Sequence, residues 1–116
     1  MSEARAAYIH IREAEFKASV TGLALLHGWL VYSVPDSRHV YPSYTATGYP
    51  DLTMVRGSCV VFAELKREKA PRKLSVAQQK WHDVLDGVSG FSAGVVKVYI
   101  WRPSDWDEIV KVLTGE

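Results

Sequence analysis

From Leu52 to Lys66 the chain reads LTMVRGSCVVFAELK, and no other stretch limits its fold so sharply. Two β-rich runs, Leu52 to Arg56 and Cys59 to Lys66, flank Arg56-Gly57-Ser58, which predicts an antiparallel hairpin closed by a tight turn. Side chains along a strand alternate between faces. The second run is apolar on both, which predicts a central strand covered on each side.

The flanking segments supply the covering layers. From about Ala6 to His27, residues Ile9, Glu13, Phe16, Val20, Leu23, Ala24 and His27 recur at spacings of three and four, predicting a helix that Gly28 ends. Leu30 to Val34 predicts a strand, stopped by Pro35. Asp36 to Tyr49 has no periodicity and predicts a loop; loops this long are uncommon in small domains and are often functional. After the hairpin come a basic loop, Lys69 to Leu74, and a helix capped by Ser75 that runs to about Val88 with Gln78, Trp81, His82 and Leu85 on one side. Val95 to Trp101 predicts another strand, and Pro103 and Ser104 introduce a short helix through about Leu113. The order α-β-β-β-α-β-α predicts an α/β fold, a mixed β-sheet flanked by helices. With 116 residues in all, one domain over 1–116 is expected, because two would each be too small to bury a core.

Bulk charge excludes little. The formal net charge is +1, but Lys66, Arg67, Lys69, Arg72 and Lys73 crowd into eight positions beside a single acid, Glu68, while Ser104 to Glu116 leans acidic. A basic edge on a near-neutral chain is compatible with gripping phosphates. No apolar run approaches the length of a membrane span, and the N-terminus lacks the apolar segment of a secretory signal. The single cysteine, Cys59, cannot form an internal disulfide and is expected as a small buried strand residue, in keeping with a reducing, cytoplasmic setting.

The chemistry concentrates in Gly48-Tyr49-Pro50-Asp51, followed after twelve intervening residues by Glu64-Leu65-Lys66. Glu64 and Lys66 share a strand face, and the turn at Gly57 returns the start of the first hairpin strand, where Asp51 lies, to the end of the second. Two carboxylates and an ammonium therefore converge at one end of the sheet. Such a set suits Mg²⁺, which takes oxygen ligands and needs one or two carboxylates beside a substrate phosphate. Glu64 also closes a strongly apolar run, where a charge needs a partner. The four histidines, His10, His27, His39 and His82, have no metal-ligand spacing.

Pro50-Asp51…Glu64-Leu65-Lys66 resembles the PD-(D/E)xK nuclease signature, and its flanks resemble the VRR-NUC domain family. The resemblance includes Glu13 in the first helix, Gly48 before the Pro-Asp, the phenylalanine-bearing approach VVFAELK, and a following helix opened by Leu74, Ser75 and Gln78 with Trp81 beyond. It ends in WRPSDWDEI and covers about Glu13 to Leu113. The resemblance implies a restriction-endonuclease-like core and a DNA endonuclease dependent on Mg²⁺ or Mn²⁺. Asp51, Glu64 and the Leu65 carbonyl would hold the metal, and Lys66 would handle the attacking water. Glu13 would reach the site from the first helix, and Gln78 would hold the lysine and phosphate in register. Stand-alone bacterial and viral members imply a homodimer that cuts branched DNA such as four-way junctions, in a bacterial or phage-infected cell.

Glu13 and Glu15 cannot both face the site from one helix, and Glu13 is the expected one because it aligns with Phe16 and Val20. Arg38, Arg67, Lys69, Arg72 and Lys73 are the expected contacts to DNA phosphates, which supply affinity and position without reading sequence. Two other functions share the fold: a nonspecific or sequence-selective nuclease within a larger assembly, and a non-catalytic DNA-binding module. Clustered carboxylates speak against the second, since binding needs only basic groups.

Overall fold

The hairpin forms, and it lies at the middle of a four-stranded sheet. The computed structural model describes residues 7–34, 47–70 and 73–115. Their order is α1 (Glu13–Leu26), β1 (Leu30–Ser33), β2 (Leu52–Arg56), β3 (Cys59–Leu65), α2 (Val76–Phe91), β4 (Val96–Trp101), a 3-10 turn (Pro103–Asp105) and α3 (Trp106–Thr114). The strand order is β1-β2-β3-β4, antiparallel from β1 to β3 and parallel between β3 and β4. A parallel neighbour needs a crossover, and α2 is that crossover. The fold is α/β, a mixed sheet flanked by helices, in the predicted order. Among the described residues no helix is long and apolar enough to cross a membrane.

Alternation sorts the hairpin onto two faces. Leu52, Met54, Val61, Ala63 and Leu65 are buried on one face, with Trp101 beside them, against Phe16, Val20 and Ala24 of α1 and Ile109 and Leu113 of α3. The opposite face carries Phe62 and Glu64 under α2, which packs against β4. That second cover is thinner than a strand apolar on both faces leads one to expect, for no residue of α2 is buried. The sheet is closed on one side and half open on the other.

Two boundaries differ from the sequence reading. The predicted first helix is broken: Ala7 and Tyr8 are helical, Ile9 to Arg12 are not, and α1 starts only at Glu13, because Arg12 is extended (φ −75°, ψ 155°); Ala6 lies outside the described residues. Spacing of apolar residues cannot report such a break, so Ile9 fitted the stripe without belonging to the helix. Within α1, Phe16, Val20 and Ala24 are buried, whereas Glu13 and His27 are exposed. The second helix runs to Phe91 through Gly87 and Gly90. Glycine inside a helix costs about 1 kcal/mol but does not by itself end one. The stop comes at Ala93 and Gly94, both at positive φ. Cys59 is only half-buried.

Two side chains tie the periphery to the sheet. Trp29 donates its indole N–H to the Leu113 carbonyl at 2.8 Å, while the Arg56 guanidinium lies 4.8 Å from the Trp29 ring and donates to the carbonyls of His27 and Leu113 at 3.1 and 3.0 Å. Glu68, counted above as the lone acid in a basic run, is 2% exposed, and its Oε1 accepts the Ser104 N–H at 2.7 Å. It thus caps the turn that leads into α3 and fixes the loop just after β3. Glu68→Ala should lower stability by about 2 kcal/mol, since the buried carboxyl's packing and its part-buried hydrogen bond to the Ser104 N–H are lost together. Urea unfolding measures this, and an unchanged midpoint would refute it.

Candidate active site

The site is built where the β2–β3 ladder stops. Continuing the pairing Leu52↔Ala63 outward sets Asp51 opposite Glu64 and Pro50 opposite Leu65. Proline has no N–H to give the ladder. Pro50 therefore cannot donate to the Leu65 carbonyl, while the Leu65 N–H is donated to the Asp51 side chain, to Oδ2 at 2.8 Å. The Asp51 carbonyl accepts the Val34 N–H at 3.0 Å, so this residue is anchored to strands on both sides. On the far edge of β3 the ladder runs one residue further, with the Lys66 N–H donated to the Trp101 carbonyl at 2.9 Å. Lys66 therefore stays in register with Glu64.

The N-terminus of α2 closes the cluster. Ser75 Oγ accepts the Gln78 N–H at 3.1 Å, and Gln78 Oε1 accepts the Ser75 N–H at 2.9 Å, a reciprocal capping box. The same Oε1 accepts from Lys66 Nζ at 3.4 Å, and Gln78 Nε2 donates to Glu64 Oε1 at 3.2 Å. A primary amide offers two acceptor sites and two donors. One glutamine thus caps a helix while gripping an acid and an ammonium.

Glu64 is 8% exposed, and its carboxyl pKa is pushed up to about 8. Burial is the largest cause; the Asp51 charge and a hydrogen bond to Asp51 follow, the Lys66 ammonium pulls the other way, and the Glu13 charge adds a last increment. Glu13, in the first turn of α1, is therefore near enough for Glu64 to feel. Glu15 is occupied elsewhere, accepting from Arg12 Nε at 2.6 Å. Of the two acids, Glu13 contributes to the Glu64 shift, whereas Glu15 pairs with Arg12.

Two carboxylates pressed together until one keeps its proton are a donor pair short of positive charge, and a divalent cation can take the proton's place. Among the described residues no group of three or more His, Cys, Asp and Glu side chains is arranged to hold a metal ion. Asp51 and Glu64 could offer such an ion two carboxylates, and Leu65, between Glu64 and Lys66, could add a backbone carbonyl. A sparse oxygen set fits Mg²⁺ or Mn²⁺, which complete their shells with water and phosphate, and does not fit structural zinc.

Asp51, Glu64, Lys66 and Gln78 are thus brought into contact, and Glu13 into electrostatic range. Arg67 and Lys69 are exposed on the loop leaving β3, and Lys73 is exposed just before α2. Arg38 and Arg72 lie outside the described residues. His27 is exposed at the end of α1 and His82 is half-buried. Sequence reasoning missed the clamp between the segment before Asp51 and α2: Trp81 donates its indole N–H to the Thr47 carbonyl at 3.0 Å, and Tyr49 stands edge-on to Trp81 and Phe62. Trp81 sharing a helix side with Gln78 was the visible signal; its partner, distant in the chain, was not. Comparison of the chain with models of known protein families, with curated proteins and with solved structures finds no match.

Proposed function

We propose that this chain is a hydrolase of phosphodiester bonds, and more particularly a DNA endonuclease dependent on Mg²⁺ or Mn²⁺. The observation that carries the reading is the joining of Asp51, Glu64, Lys66 and Gln78 by direct contacts at one end of β3. A structural ion pair needs one acid and one base, whereas here two acids crowd a single ammonium.

Asp51 and Glu64 would hold the cation, Asp51 with its carboxylate already oriented by the Leu65 N–H, and the ion would supply Lewis acidity to the scissile phosphate. Lys66, steadied by Gln78, orients the attacking water and offsets negative charge building on the phosphoryl oxygens. Water adds to phosphorus, one P–O ester bond breaks, and the departing oxygen leaves with a proton. Arg67, Lys69 and Lys73 provide exposed positive charge next to this point, where phosphates on either side of the scissile bond would bind. The cytoplasm is the expected compartment.

Branched DNA, such as a four-way junction, is the proposed substrate. Paired cuts across a junction need two sites related by a two-fold axis, so a homodimer is part of the proposal. Linear duplex, flap and four-way-junction DNA incubated with Mg²⁺, Mn²⁺ or EDTA give the test. Cutting should require metal and be fastest on the junction. Binding without cutting in either metal would replace the enzyme by a binding module; equal rates on linear duplex would remove the preference for branches. A monomer by light scattering at micromolar concentration would remove the dimer.

A further inference from the structure

We propose that Gly48 is a positioning residue of this site, acting by what it lacks: without a side chain, it lets the first turn of α2 come close enough for Gln78 to bridge Glu64 and Lys66. A Cβ built on Gly48 would lie 2.4 Å from the Ala77 carbonyl carbon, 2.6 Å from the Ala77 oxygen and 2.6 Å from the Gln78 nitrogen. All three are backbone atoms of α2, so no side-chain rotation can relieve the overlap. Gly48 also has φ +80°, a conformation L-residues rarely adopt.

The close approach is fastened on both sides. Trp81 holds the Thr47 carbonyl, while Tyr49 packs edge-on to Trp81 with centroids 5.0 Å apart and shares a hydrogen bond with Thr53 at 2.7 Å. Thr47-Gly48-Tyr49 thus straps the start of α2 and leads directly into Pro50-Asp51. One contact chain runs from Gly48 to the backbone of Gln78, through its amide to Glu64 and Lys66, and from Glu64 back to Asp51. Restoring an ordinary contact of 3.4 Å from 2.4 Å would move α2 by about 1 Å. The Lys66–Gln78 bond, at 3.4 Å, has no such slack. Misplacement of that size can cost a site about 100-fold in rate.

Gly28 separates crowding from backbone strain. It has φ +84°, close to that of Gly48, and nothing within 4 Å of its Cβ position. Gly28→Ala therefore carries the conformational cost alone. The catalytic arm of this inference rests on the nuclease reading; the geometric arm stands without it.

The test uses the full ¹⁵N-labelled chain as wild type, Gly48→Ala and Gly28→Ala. The readouts are the Gln78 side-chain NH₂ resonances, and kcat and KM on the DNA that the wild type cuts fastest. Gly48→Ala should move those resonances to free-amide positions and lower kcat about 100-fold with KM changed less than about threefold. Gly28→Ala should keep the resonances and hold kcat within about twofold. Unmoved Gln78 resonances in a folded Gly48→Ala chain, or an equal loss in Gly28→Ala, overturn the proposal. If the wild type cuts no DNA, the nuclease reading fails and the resonances alone decide. If Gly48→Ala does not fold, Trp81→Phe replaces it, removing the bond to Thr47 and trimming the ring that Tyr49 packs against. Shifted Gln78 resonances and about tenfold lower kcat then support the proposal, and unshifted resonances refute it.

Discussion

Lys66→Ala should lower metal-dependent DNA cleavage by about 1,000-fold while leaving the chain folded, because the ammonium contributes to the transition state and little to the fold. Its one described side-chain hydrogen bond is to Gln78 Oε1, which keeps a second donor in the Ser75 N–H when Lys66 is shortened. No buried polar atom is then stranded, and the stability change should stay within about 1 kcal/mol. Asp51 divides differently. Asp51→Asn keeps an oxygen for the Leu65 N–H and should fold, losing activity through its charge. Asp51→Ala strands that N–H and should also destabilise, by about 1–3 kcal/mol. Cleavage rates beside thermal melts measure both effects. Lys66→Ala retaining a tenth or more of the wild-type rate would remove Lys66 from the chemistry.

Glu64→Gln should abolish cleavage and yet make the metal-free protein more stable at pH 8 to 9. The sign follows from the carboxyl, whose pKa is pushed up to about 8 in the folded chain against an ordinary 4.5. Between those values the folded chain keeps a proton that the unfolded chain has released, so wild-type stability falls as pH rises through this window and levels off above it. Glutamine imitates the protonated acid: its oxygen can take the Gln78 N–H, its amide can donate to Asp51, and it never ionises. The variant should therefore miss this decline and melt about 5 °C or more above the metal-free wild type at pH 9, converging near pH 5. Mg²⁺ or Mn²⁺ should raise the wild-type midpoint at pH 9 and leave that of Glu64→Gln nearly unmoved, since a ligand of the native state stabilises it only where it binds. A variant no more stable than wild type at pH 9 would contradict the crowding of Glu64 and Asp51.

This pairing of lost activity with gained stability separates a functional acid from a structural one. A carboxylate kept for the fold, such as Glu68, costs stability when removed. Glu64 sits buried against a like charge, an arrangement that a fold optimised for stability alone would avoid. A bound cation, as proposed above, would offset that cost.

Much of this was legible in the chain. Strand alternation placed Glu64 and Lys66 on one face, and the turn at Gly57 set Asp51 at the start of the neighbouring strand. Ser75 announced the second helix by its capping chemistry. These are local consequences: alternation, turns and caps depend on residues a few positions apart, and the backbone enforces them wherever the segment lies.

Contacts across long separations were decided only by the fold. Nothing within Arg12 to Phe16 reveals that the turn breaks before Glu13, or that Glu15 is taken by Arg12. Burial of Glu68 against Ser104, and the seating of Gly48 on the backbone of α2, depend on how the layers pack. The amino-acid sequence determined which chemical groups face the same way along each strand and helix. Packing determined which of them touch, because a hydrogen bond or a backbone contact is won or lost within about 1 Å, a distance that no pattern along one segment can set.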